Sequence, residues 1–223
     1  MILSLDTFSS VCGVTILNNQ KLLCSTQLLL PNAHSEILLN LIDQTLIQTK
    51  INKKELTAVS VLSGPGSFTG LRIGASVAKG LCYGLEIPLL AVSTFEAWFF
   101  NWSRLANEAN KSEIGFLVDA RQGDFYGSVF KNGTLSTIKC ETLDKWISEF
   151  PEITNWLFES DKKPEFSGKT FTSLSENLNI FNLSHSAAIL AEKKMADNQT
   201  ENLHTFEPLY IKDFVVKTTA KTI

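Results

Sequence analysis

Hydrophobic positions in this chain change period several times, and each change marks an element. Residues 2–5, 11–17 and 21–29 carry Ile, Leu and Val in short runs and predict three strands, with Asn18-Asn19-Gln20 as the hairpin turn between the last two. After Pro31-Asn32 the spacing becomes helical. Ile37, Leu38, Leu41, Ile42 and Leu46 fall on one stripe, with Glu36 in the first turn and Lys50 near the end. Residues 56–62 are then short, β-branched and almost continuously apolar, which predicts a strand buried on both faces. The turn Ser63-Gly64-Pro65-Gly66-Ser67-Phe68-Thr69-Gly70-Leu71-Arg72 follows, and a helix over 69–84 and a strand over 88–92 complete the first half.

Three antiparallel strands followed by alternating helices and strands make the order β-β-β-α-β-α-β, the arrangement of the ribonuclease H-like lobe. The second half repeats it in abbreviated form. Residues 115–118 predict a strand ending in Asp119 as the first strand ends in Asp6. A hairpin of 125–130 with 134–138 turns at Asn132-Gly133, and a helix over 143–150, a strand over 156–159 and a late helix over 184–196 follow. Asp161-Lys162-Lys163-Pro164 predicts an exposed loop. The helix over 94–109, with Phe95, Trp98, Phe99 and Trp102, joins the halves and supplies core or inter-lobe packing rather than a cofactor box. The expected fold class is therefore α/β, with two ribonuclease H-like lobes of the actin-like ATPase fold, the second abbreviated. Residues 1–97 form the first lobe, 98–204 the second, and 205–223 a tail packing back on the first.

At 223 residues, with 44% hydrophobic and 19% charged, the chain has ample material for a core. No apolar run approaches the roughly 20 residues that span a bilayer, and the chain opens on a strand rather than a signal-like segment, so a cytoplasmic protein without membrane association is expected. Cys12, Cys24, Cys82 and Cys140 stand singly, without a C-x-x-C pair, and are expected to be buried reduced thiols. A net charge of −3 argues against a general nucleic-acid-binding surface, and Lys212, Lys217 and Lys221 are too sparse to form a separate one.

Leu3-Ser4-Leu5-Asp6-Thr7, His34-Ser35-Glu36 with its leucine-rich helix, and Gly64–74 with Ala78-Lys79-Gly80-Leu81 closely resemble the TsaB (YeaZ) family. Weaker echoes follow at Val92-Ser93-Thr94, at Asp119-Ala120-Arg121 with Tyr126, and at Pro208-Leu209-Tyr210-Ile211. The resemblance is dense through about residue 97 and sparse beyond. It implies an actin-like scaffold, the noncatalytic subunit of the bacterial system that installs threonylcarbamoyl on a tRNA adenosine. Such a subunit binds and activates a TsaD-like metal-containing transferase, a TsaE-like ATPase completes the complex, and tRNA is reached indirectly. The implied partner-binding residues are His34, Glu36, Leu38, Leu41 and Ile42 on one helix and Gly70, Arg72, Gly74 and Ala78 on the next. The partner's metal signature has two histidines one helical turn apart. Here Leu38 stands four residues after His34, so no metal and no catalytic residue are expected, and the spacing of His185 and His204 offers no substitute. Without its partner the same helix face implies a homodimer.

The residues themselves leave rival readings open. The glycine turn lacks the Lys-Ser or Lys-Thr of a Walker loop, so it is either an anion cradle at a helix N-terminus or a tight connection. Gly70, Gly74 and Ala78 recur every four residues and form a smooth stripe, for a partner or for the chain's own sheet. Asp6 sits where actin-like ATPases place an acid near metal and phosphate, but Phe8 follows, which favours a turn-capping role. Asp119, Arg121 and Asp124 form a polar loop, which is either a solvated turn or a loop able to approach a ligand between the lobes, and the family likeness draws interest to Arg121. Gln122 and Lys212 stand where arginines are expected in relatives, which weakens any tRNA or nucleotide contact there. Ser67 lies outside any G-x-S-x-G elbow, which argues against an acyl hydrolase. The alternative function is a small Mg-ATP-binding ATPase or kinase built on Asp6, Gly64, Gly66, Ser67, Asp119 and Arg121. The chain is expected to have no cofactor of its own, ATP or ADP being placed at the complex interface if anywhere.

Overall fold

The structure is a computed structural model that describes residues 1–105, 113–174 and 182–211. Its first sheet places, in spatial order, residues 21–29, 11–18, 2–6, 58–62 and 89–92 side by side. β1 (Ile2–Asp6) runs antiparallel to β2 (Val11–Asn18) and parallel to β4 (Ala58–Leu62), β5 (Leu89–Val92) lies parallel to β4, and β3 (Lys21–Leu29) is the outer strand beside β2. The hairpin between β2 and β3 closes through Asn19 and Gln20, both left-handed at φ 48° and 61°, the backbone that matches strand twist in a two-residue turn. Every residue of β1, β4 and β5 is buried, the polar Ser4, Asp6 and Ser60 included, so these strands are covered on both faces.

Two long helices cover one face. α1 (His34–Thr49) and α2 (Phe68–Leu85) place Leu38, Leu41, Ile42, Ala75, Ala78 and Cys82 against Leu3, Leu5, Val14, Ile16, Val59 and Val61. The opposite face meets α3 (Thr94–Leu105) and α5 (Leu183–Ala196). There Ile2, Ala58, Leu62, Leu90, Phe95, Trp98, Ala187 and Ala191 share one continuous core with Ile114, Phe116, Val118 and Leu157 of the second sheet. α5 is tied to the first sheet by polar contacts as well. Ser184 Oγ lies 2.8 Å from Thr15 Oγ1, Lys194 Nζ donates to the Ala91 carbonyl at 2.9 Å, and Glu192 accepts from the Gln20 N–H at 2.8 Å.

The second sheet repeats the strand order. β6 (Ile114–Asp119) is flanked by β7 (Asp124–Lys131) and β10 (Asn155–Glu159), β11 (Thr170–Ser173) lies beyond β10, and β8 (Thr134–Leu135) and β9 (Lys139–Thr142) both pair with β7. The strand predicted over 134–138 thus stops at Leu135 and is followed by β9. β9 and β11 have no counterpart in the sequence reading, because four residues such as Thr-Phe-Thr-Ser carry too few apolar positions to show a period. α4 (Leu143–Glu149) occupies the place of α1. The abbreviation is local: residues 160–169, which link the parallel strands β10 and β11, contain no helix where the first lobe has α2. Pro164 and Gly168, the latter at φ 75°, interrupt that stretch.

Residues 106–109 of the predicted joining helix, and Lys212, Lys217 and Lys221, lie outside the described residues. Cys12 and Cys82 are buried, and burial pushes their thiols up to about 12 and about 11. Cys24 and Cys140 are only half-buried, against expectation, because β3 and β9 are outer strands. Among the described residues no helix is long and apolar enough to cross a membrane.

Candidate functional site

The glycine turn is wedged against the residues that follow β1. The Ser67 N–H donates to the Phe8 carbonyl at 2.6 Å, and a Cβ at Gly66 would stand 2.6 Å from that oxygen. Gly64 adopts φ 104°, open to glycine alone at no cost, with Leu71 and the Leu209 carbonyl over it. Ser67 then caps α2, its hydroxyl accepting the Gly70 N–H at 3.3 Å.

The turn forms one wall of a cleft of about 590 Å³. Phe8, Ser9 and Ser10 lie beside it, α1 starts next to it at Asn32, His34 and Ser35, and the far wall consists of Asp119, Ala120, Arg121 and Gln122 with Glu159, Ser160 and Asp161. Of the proposed nucleotide residues, Gly66, Ser67, Asp119 and Arg121 meet here, whereas Asp6 and Gly64 stand behind the wall. Asp6 is 2% exposed and accepts the Phe8 N–H at 3.3 Å. Burial pushes its carboxyl up to about 7, the Phe8 hydrogen bond opposes that, and the Glu159 charge adds to it.

Arg121 reaches across the mouth to Asp161 at 2.9 Å and to Asp119 at 3.5 Å, and its N–H donates to Asp119 at 2.7 Å. The Asp161 hydrogen bond raises its already high pKa. Residues 121 and 122 are both left-handed, at φ 64° and 62°, in the loop joining β6 to β7. Three acids, Asp119, Glu159 and Asp161, against Arg121 make this an acidic, hydroxyl-lined cleft, a poor seat for a bare polyphosphate. His34 lends no base to Ser67, because its Nε2 is 3.0 Å from the Val11 carbonyl and the ring is buried. Among the described residues no group of three or more His, Cys, Asp or Glu side chains is placed to hold a metal ion. His185 sits in the first turn of α5, where burial lowers its pKa, and His204 lies beyond that helix; neither lines the cleft.

The residues proposed to face a partner divide sharply. Leu38, Leu41 and Ile42 pack inward on the first sheet, and Gly70, Gly74 and Ala78 face it too. A Cβ at Gly70 would stand 2.1 Å from the Thr7 carbonyl, and one at Gly74 2.3 Å from Thr7 Oγ1, so this stripe exists to let α2 approach β1. Leu71, Ala75 and Cys82 flank the stripe and are buried with it. Glu36 and Arg72 are exposed.

A second small-residue stripe, which the sequence reading missed, is the open one. Ser76, Gly80 and Gly84 also recur every four residues and are exposed, and a Cβ at Gly80 or Gly84 would meet nothing within 4 Å. Around it Tyr83 on α2 and Leu39 and Ile47 on α1 stay 76%, 57% and 67% exposed. No local signal separates the two stripes, since Ile73, Val77 and Tyr83 border the outer one as Leu71, Ala75 and Cys82 border the inner.

The family model described as "TsaD: tRNA N6-adenosine threonylcarbamoyltransferase" matches residues 29–163. The tRNA threonylcarbamoyladenosine biosynthesis protein TsaB of Escherichia coli is 30% identical over 135 residues, 58% of this chain and 54% of that protein. TsaB of Buchnera aphidicola from Acyrthosiphon pisum is 39% identical over 152 residues, 68% of this chain and 63% of its own length. The match therefore spans between about half and two thirds of the length of these two curated relatives. YeaZ from Pseudomonas aeruginosa superposes with a TM-score of 0.70 at 20% identity, covering 94% of this chain and 99% of that one, which establishes the same fold. With the repeated strand order, the glycine turn at the head of α2 and these likenesses together, the chain belongs to the TsaB (YeaZ) family.

Proposed function

We propose that this chain serves tRNA threonylcarbamoyladenosine synthesis as a noncatalytic subunit that binds and activates a TsaD-type transferase, with a TsaE-type ATPase completing the complex and tRNA reached through it. The observation that carries this reading is the open face of α1 and α2. A two-helix surface with a smooth stripe at Ser76, Gly80 and Gly84 and exposed Leu39, Ile47 and Tyr83 suits close packing of a second helix pair. The match to the transferase family model supports a partner of common descent, which would present a related pair. The chemistry at the start of α1 points the same way: His34 is spent on Val11, and the next turn offers the buried Leu38.

The test is a reconstituted modification reaction with tRNA, ATP, threonine and the other bacterial components, run with and without this chain. Modification that requires a chain inert on its own is the expected result. Undiminished modification without it would overturn the reading.

The second reading, an independent Mg-ATP-binding enzyme, draws on the cleft between the glycine turn and Asp119–Arg121. It requires nucleotide to raise the melting temperature of the isolated chain by mass action, about 2.7 kcal/mol at a hundredfold excess over Kd. Because Arg121, the one Lys or Arg among the described residues lining the cleft, is already paired with Asp119 and Asp161, the isolated chain is expected to melt at the same temperature with and without Mg-ATP, leaving ATP or ADP to sites completed by a partner.

A further inference from the structure

After α5 the chain returns along α2. Glu201 bridges to Leu89, the Phe206 side chain enters the core, Lys79 Nζ donates to the Phe206 carbonyl at 3.1 Å, and the Leu209 N–H donates to the Ser63 carbonyl at 2.7 Å. The strap of residues 203–211 is therefore tied down along its length. Yet two large apolar side chains at its end stay outside, Leu209 at 43% and Tyr210 at 36% exposure.

Tyr210 is held in place. Its ring lies 5.0 Å from that of Phe68, its hydroxyl accepts from Arg72 Nε at 3.2 Å, and the Arg72 guanidinium sits 4.0 Å above the Phe68 ring and 5.6 Å from that of Tyr210. At about 100° per residue, Arg72 lies on the helical wheel within about 40° of Ser76 and Tyr83, beside the open stripe. The strap thus borders the exposed ridge of α2. A tyrosine and an arginine fixed by each other lose little freedom on binding, the property of residues that dominate protein interfaces.

We propose that the strap is a wall of the partner surface, with Leu209 and Tyr210 touching the transferase partner directly and Arg72 positioning the Tyr210 ring. The surface is then assembled from α2 and a segment 138 positions away from Arg72 at Tyr210. This inference rests on the reading of the chain as a transferase-binding subunit, and continuity with the open helix face is what selects that occupant.

Titration of the full chain with its cognate threonylcarbamoyltransferase, followed by calorimetry, tests it. Leu209→Asp and Tyr210→Ala are each expected to weaken binding about tenfold, and Arg72→Ala is expected to add little in the Tyr210→Ala background. Both sites are exposed, so the melting temperature should move by no more than about 2 °C. Binding of both variants within about twofold of the parent chain, while Gly80→Trp loses it, would overturn the strap's role and leave the subunit reading intact. No binding by the parent chain would overturn that reading and the inference with it.

Discussion

Tryptophan at Gly80 is expected to abolish transferase binding while leaving the chain as stable as before, whereas alanine at Gly70 is expected to cost the fold itself. Both residues are helical glycines of α2 ten positions apart, and their surroundings are opposite. At Gly80 a side chain enters open space, so the substitution recovers a few tenths of a kcal/mol of helix propensity and projects an indole into any partner packed on the stripe. A loss of at least a hundredfold in affinity, about 2.7 kcal/mol, is expected by calorimetry. At Gly70 the new Cβ would lie 2.1 Å from the Thr7 carbonyl, a backbone atom that yields only if the turn after β1 moves. Overpacking of that kind costs about 3 kcal/mol, against which alanine regains up to about 1 kcal/mol of propensity. The melting temperature should fall by roughly 5 °C or more. Equal stability of Gly70→Ala and parent, or unchanged affinity of Gly80→Trp, would show that the two faces of α2 have been assigned the wrong way round. The same geometry makes Gly74→Trp uninformative about binding, because it strikes Thr7 first.

Asp6→Asn is expected to stabilise the chain above neutral pH and to remove much of the pH dependence of its stability. Burial dominates the environment of Asp6 and pushes its carboxyl from 3.8 to about 7, with Glu159 adding to the effect. Because the folded-state pKa lies above the unfolded one, the folded chain binds the extra proton. The contribution to stability is full below pH 4 and is lost as pH rises from about 4 to about 7. At about 1.4 kcal/mol per pH unit the loss is on the order of 4 kcal/mol. Asparagine keeps the shape and can still accept the Phe8 N–H, but it carries no charge to bury. Thermal melts of the two chains should coincide near pH 4 and diverge by roughly 10 °C at pH 8, with the variant higher. Parallel pH profiles would exclude Asp6 as the titrating group. Glu159→Gln should lower the midpoint of the parent profile, since it removes a like charge without altering the burial of Asp6.

Much of the fold could be read from the chain because its signals are local. The nearly continuous apolar run of β4 foretold a strand covered on both faces, Asn19-Gln20 and Asn132-Gly133 supplied hairpin backbone, and the helical spacing after Asn32 and after Ser67 placed α1 and α2 within about two residues. β9 and β11 escaped because their pairing with β7 and β10 is made by partners distant in sequence rather than by any period of their own. The cleft was half legible. Gly66, Ser67, Asp119 and Arg121 do converge, but Asp6, at the end of β1, is enclosed behind Phe8.

By itself, the sequence determined the order of the first lobe's elements, its abbreviated repeat in the second and the glycine turn at the head of α2, since each follows from neighbouring residues and their intrinsic backbone preferences. Tertiary structure alone decided which surfaces were left over. α2 carries two small-residue stripes that are equally regular in sequence. Only the approach of the helix to Thr7 and Val61 turned Gly70, Gly74 and Ala78 inward and left Ser76, Gly80 and Gly84 facing out. The strap likewise reached Phe68 and Arg72 through the packing of α5 and Phe206, contacts that no local pattern encodes, because a helix shows its period to a reader but its buried face only to its neighbours.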